Sequence, residues 1–185
     1  MRVVGGAAKG RTLIAPRSGD IRITADRIKE SLFDILGAVE GKSFLDLFAG
    51  TGNVGIEALS RGADPVLFVE KNRRHCDIVR KNVELCGFTS GCEIVEATVD
   101  AGIRRLAKRR VTFDIIFADP PYEQDLVRKT LQYIGEEPLL SENGVFVMEH
   151  STREECAGTE HLVVIERRKY GDTVLSFLTI TQRGE

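Results

Sequence analysis

An α/β fold built on a mostly parallel sheet is what this chain of 185 residues predicts, and three observations carry that expectation. Apolar periodicity alternates between two and 3.6 along the chain, as successive strands and helices require. The run Phe44-Leu45-Asp46-Leu47-Phe48 enters a glycine loop, Gly50-Thr51-Gly52-Asn53-Val54-Gly55, that opens a helix through Ile56, Ala58 and Leu59. Finally, the runs 161–169 and 173–181 flank Gly171-Asp172, which makes them a hairpin and the last strand antiparallel to an otherwise parallel sheet.

The elements follow in order. Val3-Val4 and Thr12-Leu13-Ile14 around Gly5-Gly6 predict an N-terminal hairpin. A helix is expected from Ala25 to about Gly37, with Ile28, Leu32, Ile35 and Leu36 on one face and Thr24 as its N-cap. Strand 44–48, helix 53–61 and strand 66–70 come next. A helix from Arg73 carries the stripe Cys76, Val79, Val83 and Cys86 and stops at Gly87. Strand 93–96, a helix over about 99–108, strand 113–118, helix 125–134 and strand 144–149 precede the closing pair. No repeat, low-complexity tract or linker interrupts the series.

Composition narrows the function classes. At 42% hydrophobic the chain can bury a full core as one domain. No stretch is long and apolar enough to span a membrane, and Met1-Arg2-Val3-Val4-Gly5 opens no signal peptide. Cys76, Cys86, Cys92 and Cys156 form neither a C-x-x-C pair nor a ligand spacing with histidine, so reduced thiols in a cytoplasmic protein without a bound metal are expected. A net charge of −2 argues against gripping nucleic acid by charge overall. Residues 1–29 are different: Arg2, Lys9, Arg11, Arg17, Arg22, Arg27 and Lys29 stand against Asp20 and Asp26. Such a segment can lie along a phosphate backbone, or simply be a solvated arm. The run Arg104-Arg105-Leu106-Ala107-Lys108-Arg109-Arg110 reads as the wet end of a helix, where the dipole favours cations. His75, His150 and His161 are scattered and receive no catalytic role, His75 being placed on a helix surface.

Asp119-Pro120-Pro121-Tyr122 follows the strand Phe113-Asp114-Ile115-Ile116-Phe117-Ala118. Asp119 and Pro120 each precede a proline and are pushed toward extended geometry, while the two prolines offer no N–H. The Asp119 carboxylate and Pro120 carbonyl therefore stand as acceptors for a flat amine, with Tyr122 positioned to stack on its ring. The plain alternative is a strand-ending turn. Upstream, Gly50, Gly52 and Gly55 fit G-x-G-x-x-G, and Glu70 follows twenty residues after Gly50. Alone these suit an NAD-dependent oxidoreductase. Asp46, however, lies inside the strand where such a site wants an apolar residue. A carboxylate there can receive the ammonium of an amino-acid-like cofactor, Glu70 can hold ribose hydroxyls, and the Asp46 loop with the Asp119 turn specifies S-adenosylmethionine.

The pairing of Leu45-Asp46-Leu47-Phe48-Ala49-Gly50-Thr51-Gly52 with Asp119-Pro120-Pro121-Tyr122 resembles the class I methyltransferases that modify exocyclic amines. Arg2-Val3-Val4-Gly5-Gly6, Gly10-Arg11, Thr24-Ala25-Asp26-Arg27-Ile28-Lys29-Glu30-Ser31-Leu32-Phe33 and Tyr170-Gly171-Asp172-Thr173 narrow it to the RsmD-type enzymes, which methylate a guanine N2 of bacterial 16S ribosomal RNA. The resemblance spans nearly the whole chain; Ile23 departs from it, standing where the family usually has proline. It implies a Rossmann-like class I methyltransferase fold: a mostly parallel seven-stranded sheet with an antiparallel C-terminal strand, helices on both faces, and an N-terminal β-hairpin and helix. It further implies a single domain over 1–185, with a basic extension at 1–37 and a catalytic core at 38–185.

The resemblance also assigns roles. Asp119, Pro120, Pro121 and Tyr122 become catalytic. Asp46, Phe48, Gly50, Thr51, Gly52, Glu70, Lys71, Glu96, Ala97 and Asp119 become cofactor-binding, the adenine lying near Glu96-Ala97, although Glu96 can equally be an exposed strand end. Arg11, Arg17, Arg22 and Arg27 become RNA-binding, with Arg27 able to face the cofactor instead. The implied partner is 16S rRNA within an assembling 30S subunit, met by a metal-free monomer. The implied reaction is in-line attack of guanine N2 on the sulfonium methyl, releasing S-adenosylhomocysteine and a proton. Four rivals remain. A DNA adenine-N6 or cytosine-N4 methyltransferase shares the Asp-Pro-Pro-Tyr chemistry but usually carries an added target-recognition region. A glutamine-side-chain methyltransferase normally has Asn in place of Asp119. An RNA-binding module without catalysis leaves the glycine loop unexplained, and the NAD enzyme leaves Asp46 so.

Overall fold

In the computed structural model, which describes residues 1–15, 26–88 and 90–181, the elements run α1 (Asp26–Leu36), β1 (Phe44–Leu47), α2 (Asn53–Ser60), β2 (Val66–Glu70), α3 (Arg73–Leu85), β3 (Cys92–Glu96), α4 (Val99–Lys108), β4 (Phe113–Ala118), α5 (Leu126–Glu136), β5 (Leu140–Ser151), β6 (Leu162–Tyr170) and β7 (Thr173–Ile180). The strands take the order β3-β2-β1-β4-β5-β7-β6 in one seven-stranded sheet. Contacts divide the chain into two units, Met1–Thr98 and Val99–Glu185.

In the first unit β1, β2 and β3 are parallel, with Leu47 opposite Val69 and Val69 opposite Val95. Every residue of β1 and β2 is buried, which is why both are mostly apolar without alternation, Asp46 and Glu70 being the two buried exceptions. Phe44, Leu45, Leu47, Ile56, Phe68 and Val69 make the centre of this core, each fully buried side chain contributing about 1.5–3 kcal/mol. In the second unit β4 and β5 are parallel, and β7 runs antiparallel to both β5 and β6. Here Ile116, Phe117, Phe146, Val147, Leu175 and Leu178 fill the interior.

Several expectations need correction. The predicted N-terminal hairpin shrinks to one antiparallel bridge, Arg2 with Thr12, supported by Val3 N–H donating to the Arg11 carbonyl at 2.9 Å. The turn is drawn onto the end of α2: Ala7 N–H donates to the Ser60 carbonyl at 2.7 Å, and a Cβ on Gly6 (φ +72) would stand 1.8 Å from that oxygen. Thr24, the expected cap of α1, lies outside the described residues. The buried face of α1 is Lys29, Leu32 and Phe33, while Ile28, Ile35 and Leu36 are half-buried. Cys86 is the C-cap of α3 and is only half-buried, at the end of the stripe of Cys76, Val79 and Val83. β1 ends one residue early because Phe48 turns to φ 58, and α2 stops one residue early at Ser60, Arg61 being its C-cap. Asp125 is a left-handed cap at φ 56 before α5, which then runs on to Glu136. β5 is longer than expected because it contains an irregularity: Phe113 faces Leu140, yet Ile115 faces Val145. Asp114 fills that gap, its Oδ1 accepting from Ser141 Oγ at 3.2 Å.

Lys29 departs most from the expected basic arm over residues 1–29. It is fully buried, Nζ donating to the Arg2 carbonyl at 2.7 Å and Asn53 Oδ1 at 2.8 Å and lying 3.3 Å from Glu57 Oε2. Glu57, also fully buried, accepts from Val4 N–H at 2.8 Å and Arg61 Nε at 2.8 Å. Burial pulls the Lys29 pKa below its usual value, with Glu57 opposing the shift. Buried charge is tolerated only when paired and hydrogen-bonded, and this cluster pins the N-terminal segment to α1 and α2.

Candidate active site

In the first unit, parallel strands bring three carboxyl ends together: Phe48-Ala49-Gly50-Thr51-Gly52 after β1, Glu70-Lys71 at β2 and Glu96-Ala97 at β3. Glu70 pairs with Glu96 in the ladder, and Ala97 N–H donates to the Glu70 carbonyl at 3.0 Å. The loop is wound tightly, with φ of 58 at Phe48, 55 at Gly50 and 79 at Gly52. A bulky residue in the left-handed region is uncommon and costs on the order of 1–3 kcal/mol, so the surroundings hold Phe48 there.

Two acids close the loop. Glu70 Oε2 accepts from Gly50 N–H at 2.9 Å, and Oε1 accepts from Asn72 N–H at 2.7 Å. Asp46, 2% exposed, accepts from Gly55 N–H at 2.9 Å through Oδ2. Burial pushes the Asp46 carboxyl up to about 7, the Gly55 bond pulls it down and the Glu70 charge adds to the rise. Such an acid is held ready for a cation to stabilise its charged form. Gly55 leaves room for all this: a Cβ there would meet Phe68 Cε1 at 2.3 Å and Asp46 Oδ2 at 3.0 Å.

Sequence reasoning overlooked the supports of this loop. Asn82, fully buried on α3, donates through Nδ2 to the carbonyls of Thr51 and Ile14, both at 3.1 Å, and accepts Ile14 N–H at 2.7 Å. Thr51 Oγ1 donates to Met1 Sδ at 3.3 Å. His75, placed on a helix surface, has Nδ1 3.5 Å from Glu70 Oε1. A long-range Asn or a histidine one turn into a helix leaves no mark in local periodicity. Lys71 and Glu96 are exposed and Ala97 is half-buried.

In the second unit, β4 delivers Asp119-Pro120-Pro121-Tyr122 at its carboxyl end. Asp119 and Tyr122 are half-buried, Pro120 is buried and Pro121 exposed. Tyr122 OH and Thr173 Oγ1 share a hydrogen bond of 3.3 Å. Beyond the turn, Glu123 adopts φ 59, and its N–H donates to Glu154 Oε1 at 3.0 Å. The other oxygen, Oε2, accepts from Ser151 N–H at 3.3 Å. Glu154 and Thr173 thus fix the turn, and neither was singled out from the sequence. His150 is buried, with Nε2 2.8 Å from Ser176 Oγ, and burial lowers its pKa below the usual histidine value.

Of the expected RNA-binding residues, Arg11 and Arg27 are exposed, and Arg17 and Arg22 lie outside the described residues. The basic run ends α4 as expected, Arg104 pairing with Asp100 at 2.8 Å. The four cysteines are free. Among the described residues no group of three His, Cys, Asp or Glu side chains could hold a metal ion, and no helix is long and apolar enough to cross a membrane.

Residues 1–179 match the family described as Conserved hypothetical protein 95. The chain belongs to that family. It is 37% identical over 175 residues to YlbH of Bacillus subtilis (strain 168), provisionally named an rRNA methyltransferase, covering 94% of this chain and 95% of that one. It is 31% identical over 159 residues to ribosomal RNA small subunit methyltransferase D of Escherichia coli (strain K12), covering 80% and 74%. Among solved structures, YhhF of Escherichia coli, provisionally named a methyltransferase, is similar with a TM-score of 0.86 at 23% identity, over 99% of both chains. The architecture is the Rossmann-like class I methyltransferase fold expected from the sequence.

Proposed function

We propose that the protein is an S-adenosylmethionine-dependent rRNA methyltransferase that methylates the exocyclic N2 of a guanine in 16S ribosomal RNA. The carrying observation is the coexistence of two acceptor sets at strand carboxyl ends: Asp46 with Glu70 around the glycine loop, and Asp119-Pro120 at the end of β4. The names of the two relatives, one for rRNA and one for small-subunit rRNA, support the substrate class.

The donor set fits the cofactor. Asp46 and Glu70 match an ammonium and a pair of ribose hydroxyls, Glu96-Ala97 lies beside them for an adenine edge, and Gly50 and Gly52 let backbone approach without side-chain interference. When bound, S-adenosylmethionine supplies an electrophilic methyl carbon. The protein's own work is on the nucleophile. A guanine amine is weak because its lone pair is spread into the ring. Acceptance of its two N–H groups by the Asp119 carboxylate and the Pro120 carbonyl favours a more tetrahedral nitrogen, and Tyr122 stacks on the base to fix its plane. The amine becomes acidic only as it is methylated, so Asp119 serves as an acceptor without being a strong base. In this reading residues 1–185 work as one domain, the arm at 1–37 meeting RNA and the core at 38–185 doing the chemistry.

Incubation with labelled cofactor followed by nucleoside mapping tests the proposal. N2-methylguanosine in 16S rRNA is expected, above all when a partly assembled 30S subunit splays the target loop outward. N6-methyladenosine in DNA with rRNA unmodified would overturn the substrate. Calorimetry showing NAD binding and no response to S-adenosylhomocysteine would overturn the cofactor.

A further inference from the structure

We propose that the β6–β7 hairpin carries an RNA contact of its own, in which Arg168 holds a phosphate of the single strand flanking the target guanine. This rests on the rRNA methyltransferase reading and deepens it.

Register carries the argument. Tyr122 OH is hydrogen-bonded to Thr173, the first residue of β7. Thr173 faces Tyr170, Val174 faces Lys169 and Leu175 faces Arg168. At about 3.3 Å per residue, Arg168 stands roughly 7 Å along the strand from Tyr170, and a long side chain spans most of that distance. Opposed residues, and residues two apart, share a face. Arg168 and Tyr170 are therefore on the face of Thr173 that meets Tyr122.

The chemistry of the tract fits a polyanion. Arg167 is already engaged, Nη2 donating to the Cys156 carbonyl at 2.9 Å. Arg168 remains 56% exposed and is paired with Glu166, an exposed ion pair of small worth that a phosphate can displace. Lys169, between Arg168 and Tyr170, alternates to the opposite face. β6 ends the strand order, so no further strand pairs with it among the described residues. A base stacked on Tyr122 would bring a flanking phosphate onto Arg168.

The test is a salt titration of binding by the whole protein to a 16S rRNA fragment containing the methylated guanine, comparing the parent with Arg168→Ala and, for the opposite face, Lys169→Ala. Expected for Arg168→Ala are a Kd for RNA raised about threefold at moderate salt and a log–log salt slope reduced by about 0.7, one single-strand contact, with Lys169→Ala close to the parent. Melting temperature and S-adenosylhomocysteine affinity should be unchanged, and Arg168→Lys should regain part of the slope because the charge is kept. An unchanged Kd and slope in stably folded Arg168→Ala, or an equal loss in Lys169→Ala, would sink the proposal. So would loss of methylation confined to ribosomal particles with naked-RNA binding intact, which would give the tract a protein partner. If the parent binds RNA through this tract yet leaves rRNA unmethylated, the functional reading fails and the contact stands.

Discussion

Asp119 and Tyr122 separate chemistry from folding. Asp119 is half-buried at a strand end and its proposed task is to hold an amine, so Asp119→Ala should keep the melting temperature and RNA binding while turnover collapses. Near-normal turnover would make the turn structural. Tyr122→Ala removes the stacking ring and should cost about 1–3 kcal/mol of base binding, whereas Tyr122→Phe keeps the ring and loses the 3.3 Å bond to Thr173. The Phe variant should therefore retain most activity with a modestly raised KM, and Thr173→Val should match it. Asp46 adds a pH signature. Its folded pKa of about 7 lies above the reference of 3.8, so its contribution to stability is fully present below about pH 4 and gone once pH passes about 7. An ammonium ligand needs the charged form, so cofactor affinity should move the other way, rising toward about pH 7 and levelling beyond it. Titration calorimetry with S-adenosylhomocysteine across that window should show the rise in the parent and a flat profile in Asp46→Asn.

Among the elements, α2 and its attachments are the most constrained. Gly55→Ala should lose at least about 1–3 kcal/mol in urea unfolding, because the added methyl would overlap the Phe68 ring. Lys29→Met should cost about 3–5 kcal/mol by leaving Glu57 buried with a partner removed; an unchanged midpoint would mean that Arg61 alone neutralises Glu57. These two residues also mark what the sequence could tell. Gly55 sits in a motif whose spacing announces it, and strands such as 66–70 and 113–118 match their expected bounds because burial leaves the apolar runs Val66–Val69 and Ile115–Ala118. Lys29 reads as an arm cation in any local window. Only the position of Glu57, 28 residues away, turns it inward. The same limit hid Asn82, Glu154 and Thr173, whose roles are set by partners 31 to 68 residues distant, and concealed the irregularity in β5, where a strand of apparently six residues occupies twelve.

At the scale of the molecule, charge is distributed for local use. Arg11 is exposed on the N-terminal segment, and Arg11→Ala should raise the KM for RNA and lower the salt slope by about 0.7 while leaving cofactor affinity intact. Equal loss of cofactor affinity would assign Arg11 to the glycine loop instead, which is reachable through the Asn82 bonds to Ile14 and Thr51.

The hydrogen bond between Tyr122 and Thr173 has an optical consequence. The chain has no tryptophan and three tyrosines, so its near-ultraviolet emission is tyrosine emission alone. Tyr122 stands in the Asp119 turn, Tyr170 faces its hydroxyl partner across the hairpin, and Tyr133 lies on α5 with the Arg104 guanidinium 5.9 Å from its ring centroid. A nucleobase stacked on Tyr122 should quench that ring and perturb Tyr170, leaving Tyr133 as an internal reference. Occupancy by the target base can then be followed without a label, with Tyr122→Phe silent in the channel that the parent dims.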